Sequence, residues 1–102
     1  MRYAARVDAN QAEIVDALRK AGAYVWIIGL PTDLLVGYKQ HTLVVEVKTN
    51  SKKKMTELQK DFFKEWTGGP LCRVNDVESA LRMLRMIDEN VSRETDISHP
   101  NS

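Results

Sequence analysis

The sequence has 102 residues, 43% of them hydrophobic, which is enough for one domain with its own core but not for several domains. Its 15 Lys and Arg residues nearly balance its 14 Asp and Glu residues, so the net charge of +1 excludes a protein that attracts nucleic acid by a strong overall positive field. No apolar run reaches the roughly 18 residues of a membrane-spanning helix, and the single cysteine, Cys72, excludes an internal disulfide and is typical of a reducing cytoplasm.

The first half of the chain predicts one helix and three strands. Residues 1–7 carry arginines without an apolar run behind them, so they are not expected to form a secretory signal. Apolar residues then recur at helical spacing up to Gly22, which stands where a helix would end. These patterns predict a helix over 10–21, strands over 23–28, 33–37 and 42–48, a turn at 29–32 and a hairpin loop at 37–41.

The second half of the chain predicts a helix, a short strand and a last helix. Thr56 and Gln59 have the spacing of a capping box for a helix over 57–66. A strand over 71–74 and a helix over 77–88 follow. Residues 89–102 are polar and lack periodicity, so they are expected to form a frayed tail. The order α-β-β-β-α-β-α predicts a single α/β domain over 1–88, with a mixed central sheet flanked by helices.

Three charged residues in the predicted sheet are the candidate site. Glu46 and Lys48 are two positions apart in one strand, so their side chains share a face. Asp33 opens the strand that is expected to pair with this one, which brings its carboxylate near both. Two carboxylates, with the Val47 carbonyl as a further ligand, suit a hard divalent cation such as Mg²⁺, which polarises a phosphodiester and activates water. The ammonium of Lys48 can orient that water and offset the developing negative charge.

The same residues also have a purely structural interpretation. Glu and Lys on one face of a half-exposed strand are often only a solvated surface. The apolar runs 34–36 and 43–45 lack polar alternation, however, and favour strands that are buried on both faces. A buried acid and base cost several kcal/mol unless they are compensated. A functional reason for keeping this pair is therefore favoured.

The candidate residues stand within a longer ordered set of motifs: DANQAEIVDALRKAGA, GLPTDLLVG, LVVEVKT, KMTELQKDFFKEWTGG and RVNDVESALRML. Over about residues 8–85, this set resembles the stand-alone, phage-type VRR-NUC nucleases of the PD-(D/E)xK superfamily. The resemblance implies a restriction-endonuclease-like fold and an Mg²⁺- or Mn²⁺-dependent deoxyribonuclease, acting on flap or branched (Holliday-junction) DNA. The alternative is a non-catalytic DNA-binding or assembly module that has kept the nuclease fold.

The resemblance also implies roles for single residues. Asp33 and Glu46 would bind the metal and Lys48 would assist the nucleophilic water. Gln59 matches a glutamine that lies beside the active site in the family, although completing the capping box with Thr56 is an alternative role. The proline that usually precedes the catalytic Asp directly is displaced by one position, to Pro31.

Further metal and DNA contacts follow from the same resemblance and from local charge. The metal-binding Glu that the family often carries on its first helix falls on Gln11, with Glu13 as the nearby acid, and either is a candidate ligand. A neutral Gln would be the poorer of the two. Lys52, Lys53 and Lys54, extended by Lys39, form the candidate DNA-binding patch, although a basic loop is often only solvated.

Two expectations concern the assembly and the location of the protein. A domain of this size offers a small footprint, so a homodimer is expected, with two sites placed across a junction. The location is expected to be cytoplasmic, in the host cytoplasm if the protein is phage-encoded.

Overall fold

The computed structural model describes residues 9–48 and 55–98, with side chains as far as residue 92. These residues form a four-stranded sheet and three helices. The elements are α1 (Ala9–Lys20), β1 (Tyr24–Ile27), β2 (Leu34–Tyr38), β3 (His41–Val47), α2 (Glu57–Glu65), β4 (Leu71–Val74) and α3 (Val77–Ser98). In the sheet, β1, β2 and β3 are antiparallel neighbours and β4 lies parallel to β3. The predicted element order and mixed sheet are confirmed.

The end of α1 has the geometry that the sequence predicts. Gly22 adopts a φ of 102°, a left-handed conformation that suits glycine. Its N–H donates to the Arg19 carbonyl at 3.0 Å, and the Ala23 N–H donates to the Leu18 carbonyl at 3.0 Å. This pair of bonds is a Schellman motif, which satisfies the last carbonyls of the helix and turns the chain into β1.

Alternation of side chains gives the sheet two different faces. One of them, the core face, packs against α1 and α3. Here Leu34 lies opposite Val45 and Val36 lies opposite Leu43, and all four are at most 2% exposed. The other core members are Ile14, Val15, Leu18, Ala23, Val25, Val47, Val74, Ala80, Met83, Leu84 and Ile87.

The opposite face, the outer face, is only partly covered. One row across its four strands consists of Trp26, Leu35, Val44 and Leu71. Val44 is 9% exposed whereas Trp26 is 58% exposed. Helix α2 reaches this face at β4, where its Phe63 ring contacts Arg73. The side formed by β1 and β2 remains open to solvent.

A two-residue turn joins β2 to β3, which is shorter than the predicted loop. Lys39 and Gln40 have φ values of 47° and 68°, so both lie in the left-handed region that such tight hairpins require. Asp88 on α3 accepts hydrogen bonds from the Tyr38 hydroxyl at 2.9 Å and the Lys39 ammonium at 2.6 Å. These bonds fasten the hairpin to α3.

The last helix is longer than predicted, because α3 continues to Ser98 instead of ending at residue 88 in a frayed tail. No Gly or Pro interrupts residues 77–98, and Val91 is partly buried against the core. A helix that is already anchored by its first three turns gains one backbone hydrogen bond for each residue added, so it extends without further apolar periodicity. No described helix is long and apolar enough to cross a membrane.

Candidate active site

The two predicted metal-binding carboxylates lie at the same end of the β2–β3 hairpin. The register pairs Leu34 with Val45, so the next residues outward, Asp33 and Glu46, come opposite one another on the outer face. The Asp33 Oδ2 atom accepts a hydrogen bond of 2.8 Å from the Val47 backbone N–H. This bond fixes the carboxylate of Asp33 beside the strand that carries Glu46.

The surroundings of Glu46 disfavour the charged form of its carboxyl group. Burial, and then the charge and hydrogen bond of the neighbouring Asp33 carboxylate, raise its pKa to about 7, although the Asp33 backbone N–H and the Arg73 charge oppose that rise. Its Oε1 atom is buried and has no hydrogen-bond partner among the described residues. A buried acceptor without a partner is costly and is uncommon in folded proteins. A ligand that binds this oxygen would supply the missing partner.

The Val47 carbonyl is placed on the same side of β3 as the Asp33 carboxylate. In a strand, the N–H and C=O of one residue point toward the same neighbour, and the Val47 N–H points to Asp33. The β2–β3 ladder ends at Leu34 and Val45, so no residue of β2 is paired with Val47. The role of this carbonyl as a metal ligand stays a prediction.

Lys48 follows the last residue of β3. Its backbone N–H donates to the Val74 carbonyl at 2.8 Å, which extends the pairing with β4 by one residue. Alternation keeps its side chain on the face of Glu46, and the residue is exposed. No carboxylate of the described residues lies within 4.0 Å of its ammonium.

Gln59 completes the predicted capping box and also reaches the loop before Asp33. Its Oε1 accepts from the Thr56 N–H at 3.1 Å, and its own N–H donates to the Thr56 hydroxyl at 3.2 Å, so the capping box is formed. Its Nε2 also donates to the Pro31 carbonyl at 3.4 Å. Gln59 therefore links α2 to the loop that leads into Asp33.

Arg73 is a residue of this region that the sequence analysis missed. It lies on β4 directly beside Glu46 in the parallel register, on the outer face. Its guanidinium carbon is 5.1 Å from the centroid of the Phe63 ring. A motif search cannot find it, because its place depends on how β4 aligns with β3 after the intervening helix.

The first helix carries the two remaining candidate metal ligands, Gln11 and Glu13. Gln11 is 8% exposed, in agreement with its predicted inward position, and the adjacent Asn10 side chain donates to the Asn75 carbonyl at 3.2 Å, just beyond β4. Glu13 is exposed. Among the described residues, no group of three or more His, Cys, Asp or Glu side chains is placed to hold a metal ion. A cation at Asp33 and Glu46 would therefore need ligands other than a third acidic side chain of the described residues.

Of the predicted basic patch, Lys39 is the member that the described residues include. Lys39 lies at the turn end of the hairpin, with five residues of β2 between it and Asp33, which corresponds to roughly 18–20 Å. The Lys39 ammonium donates a hydrogen bond to the Asp88 carboxylate. This bond, and then the hydrogen bond of Lys39 with Tyr38, raise the pKa of Lys39. Lys52, Lys53 and Lys54 lie outside the described residues, so their role stays a prediction.

Comparison of the chain with protein-family models, with curated proteins and with solved structures finds no match.

Proposed function

We propose that the protein is a metal-dependent deoxyribonuclease of the PD-(D/E)xK type, with a restriction-endonuclease-like fold. The observation that carries this proposal is the position of Glu46, half-buried opposite Asp33 with one carboxylate oxygen left without a partner. A carboxyl whose ionisation is opposed by burial and by a neighbouring carboxylate is a feature that recurs at catalytic sites.

The donor set fits Mg²⁺ or Mn²⁺. Both are hard cations that bind carboxylate and carbonyl oxygens and keep several water or phosphate ligands, so two side chains and the Val47 carbonyl suffice. Burial and then repulsion from Asp33 raise the pKa of Glu46, and a positive ion between the two carboxylates would offset both effects. When bound, such a cation supplies charge neutralisation at phosphorus and a more acidic water.

The residues of the chain would act on a phosphodiester as follows. The water oxygen forms a new bond to phosphorus while the bond from phosphorus to one sugar oxygen breaks. One hydrogen of the water ends on that sugar oxygen, and the products are a phosphate monoester and a hydroxyl. Lys48, which is exposed on the face of Glu46, would orient the attacking water and stabilise the charge that develops on the phosphate. Gln59 would position Asp33 through its bond to Pro31.

The preferred substrate and the assembly are parts of the same proposal. The resemblance to VRR-NUC nucleases favours flap or branched DNA. A homodimer is supported by three large side chains on the open part of the outer face, Tyr24, Trp26 and Leu35, which are 65%, 58% and 39% exposed. Arg19 donates to the Val25 carbonyl at 2.8 Å on the free edge of β1, so face-to-face contact is favoured over strand pairing. A monomer in light scattering at micromolar concentration would contradict the homodimer.

The proposal is tested by a cleavage panel. Single-stranded, duplex, flapped and four-way-junction DNA are incubated with Mg²⁺, Mn²⁺ or EDTA. We expect cleavage only with metal, abolished in Glu46→Gln and Lys48→Met and retained in Lys60→Met, a control that removes an exposed ammonium paired with Glu57. Cleavage that persists in EDTA would contradict the proposal. DNA binding without turnover, together with melting that is unchanged by Mn²⁺, would favour the non-catalytic module, to which the neutral Gln11 gives some support.

A further inference from the structure

Arg73 is a cation that stands next to the candidate site without being neutralised there. It is the register partner of Glu46, and its charge opposes the rise in the pKa of that carboxyl. No carboxylate of the described residues lies within 4.0 Å of its guanidinium. It is also exposed. An arginine that served only to neutralise Glu46 would be expected to bond with it directly.

The contacts that hold Arg73 use little of its hydrogen-bonding capacity. Its guanidinium carbon is 5.1 Å from the centroid of the Phe63 ring, and one terminal nitrogen lies 3.6 Å from the Met55 sulfur. Both partners are half-buried. A ring face and a thioether orient the guanidinium group, but a thioether is a weak acceptor. The guanidinium therefore retains strong donors for an oxygen-rich ligand.

The placement of these donors suits a phosphate that lies over Glu46. Neighbouring strands are about 4.8 Å apart, so Arg73 on β4 and Asp33, directly before β2, lie on either side of Glu46 on one face. A ligand held at the carboxylates is then within reach of the long arginine side chain. The planar guanidinium matches two phosphate oxygens, which an ammonium cannot do.

We infer that Arg73 binds a non-bridging oxygen of the phosphodiester that is cleaved, as a catalytic residue distinct from Lys48. This inference rests on the proposed nuclease function. It divides the two cations between two tasks. Lys48, one position beyond β3, faces the attacking water, and Arg73, beside Glu46 on β4, holds the phosphate.

The test compares Arg73→Gln and Arg73→Lys with a matched control, Arg82→Gln, which removes an exposed guanidinium that is paired with Glu78 on α3. Turnover is measured on the substrate that the wild-type protein cleaves best, at saturating Mn²⁺. The Mn²⁺ concentration at half-maximal thermal stabilisation is measured separately, without DNA. Binding of the same DNA in EDTA is followed by fluorescence anisotropy over a range of salt concentrations. Circular dichroism verifies that each variant is folded.

We expect Arg73→Gln to lower turnover by roughly 10- to 100-fold, the loss of one charge-assisted hydrogen bond, with an Mn²⁺ midpoint no higher than that of the wild type. Arg73→Lys should recover part of the loss, and Arg82→Gln should behave as the wild type. In EDTA, Arg73→Gln should bind DNA with a salt dependence reduced by about one phosphate contact.

Two results would overturn the inference while the nuclease function stands. One is turnover in Arg73→Gln equal to that in Arg82→Gln. The other is a changed Mn²⁺ midpoint with full turnover at saturating Mn²⁺, which would assign Arg73 to tuning Glu46 instead of to the substrate. A wild-type protein that cleaves no DNA would overturn both proposals.

Discussion

The Val47 backbone N–H donates to the Asp33 carboxylate at 2.8 Å. This bond joins the start of β2 to the point on β3 between Glu46 and Lys48. The position of the Asp33 carboxylate is thus set by the main chain of the neighbouring strand and not only by a side-chain torsion. A site that must hold a cation and a water in fixed geometry benefits from such support, because small displacements reduce catalysis strongly.

Replacing Asp33 by Asn should separate the charge of this residue from its structural role. The Asn side-chain oxygen can still accept a hydrogen bond from the Val47 N–H, so the free energy of unfolding is expected to change by less than about 1 kcal/mol. Loss of a metal-binding carboxylate should lower cleavage by at least roughly 100-fold and remove the stabilisation by Mn²⁺. Thermal unfolding with and without Mn²⁺ measures both effects. Asp61→Asn, an exposed change on α2, is the control, and full cleavage by Asp33→Asn would exclude a metal role for Asp33.

The raised pKa of Glu46 predicts how stability depends on pH without metal. Below pH 4.5 the Glu46 carboxyl is protonated in both the folded and the unfolded protein, so folding does not bury a charge. As the pH rises from 4.5 to about 7, the unfolded chain ionises first, and the stabilisation is lost. This difference in pKa corresponds to a loss of at most about 3 kcal/mol in the free energy of unfolding. Because Glu46 is only half-buried, solvent screening reduces the expected loss to roughly 1–2 kcal/mol.

Glu46→Gln tests this dependence directly. The variant should be more stable than the wild type at pH 8 in EDTA, and the difference should shrink as the pH falls toward 4.5. Mn²⁺ should stabilise the wild type at pH 8 and not the variant. Denaturant unfolding at several pH values gives the free energies. A Glu46→Gln protein that is less stable than the wild type at pH 8 in EDTA would show that the carboxylate is well compensated without metal.

The pairing of Asp33 with Glu46 could be predicted from the sequence because it is local. Alternation fixes which residues of a strand share a face, and a hairpin across a tight turn leaves few possible registers. The Arg73 position could not be predicted in this way. β4 joins the sheet in parallel after a long connection through α2, and no turn specifies its register. Similarly, only the folded structure brings Lys39 to Asp88, 49 residues away.

Two substitutions separate the helix-capping role of Gln59 from its bond to Pro31. Glu at this position can still complete the capping box with Thr56 but cannot donate to the Pro31 carbonyl. Gln59→Glu should therefore keep the stability of α2, whereas Gln59→Ala should lose about 0.5–1 kcal/mol. Both should lower cleavage several-fold if the bond to Pro31 positions Asp33. Unfolding and turnover are measured on the same preparations, and a fully active Gln59→Ala would limit Gln59 to helix capping.

The basic residues are expected to differ in their effect on DNA. Lys39→Gln removes an ammonium that is already paired with Asp88 far from the carboxylates, so DNA affinity should change by less than about twofold. Changing Lys52, Lys53 and Lys54 together to Gln should weaken binding and reduce its salt dependence by about two or three phosphate contacts. Anisotropy titrations over a range of salt concentrations measure both. A large loss in Lys39→Gln alone would place the DNA at the hairpin turn instead.

Thr32 lies directly before Asp33, at the position where the PD-(D/E)xK motif usually has proline. Thr32 is 0% exposed, and its hydroxyl has no hydrogen-bond partner among the described residues. Val has nearly the same shape without the hydroxyl, so Thr32→Val should stabilise the protein by roughly 1 kcal/mol, or about 4–8 °C in Tm. Thr32→Ser keeps the hydroxyl and loses a methyl group, so it should destabilise. Cleavage by Thr32→Val should be unchanged, because substrate cannot contact a fully buried side chain. A Thr32→Val protein that melts below the wild type would indicate that the hydroxyl is satisfied by an internal water, and a loss of cleavage with raised Tm would mean that the hydroxyl positions Asp33.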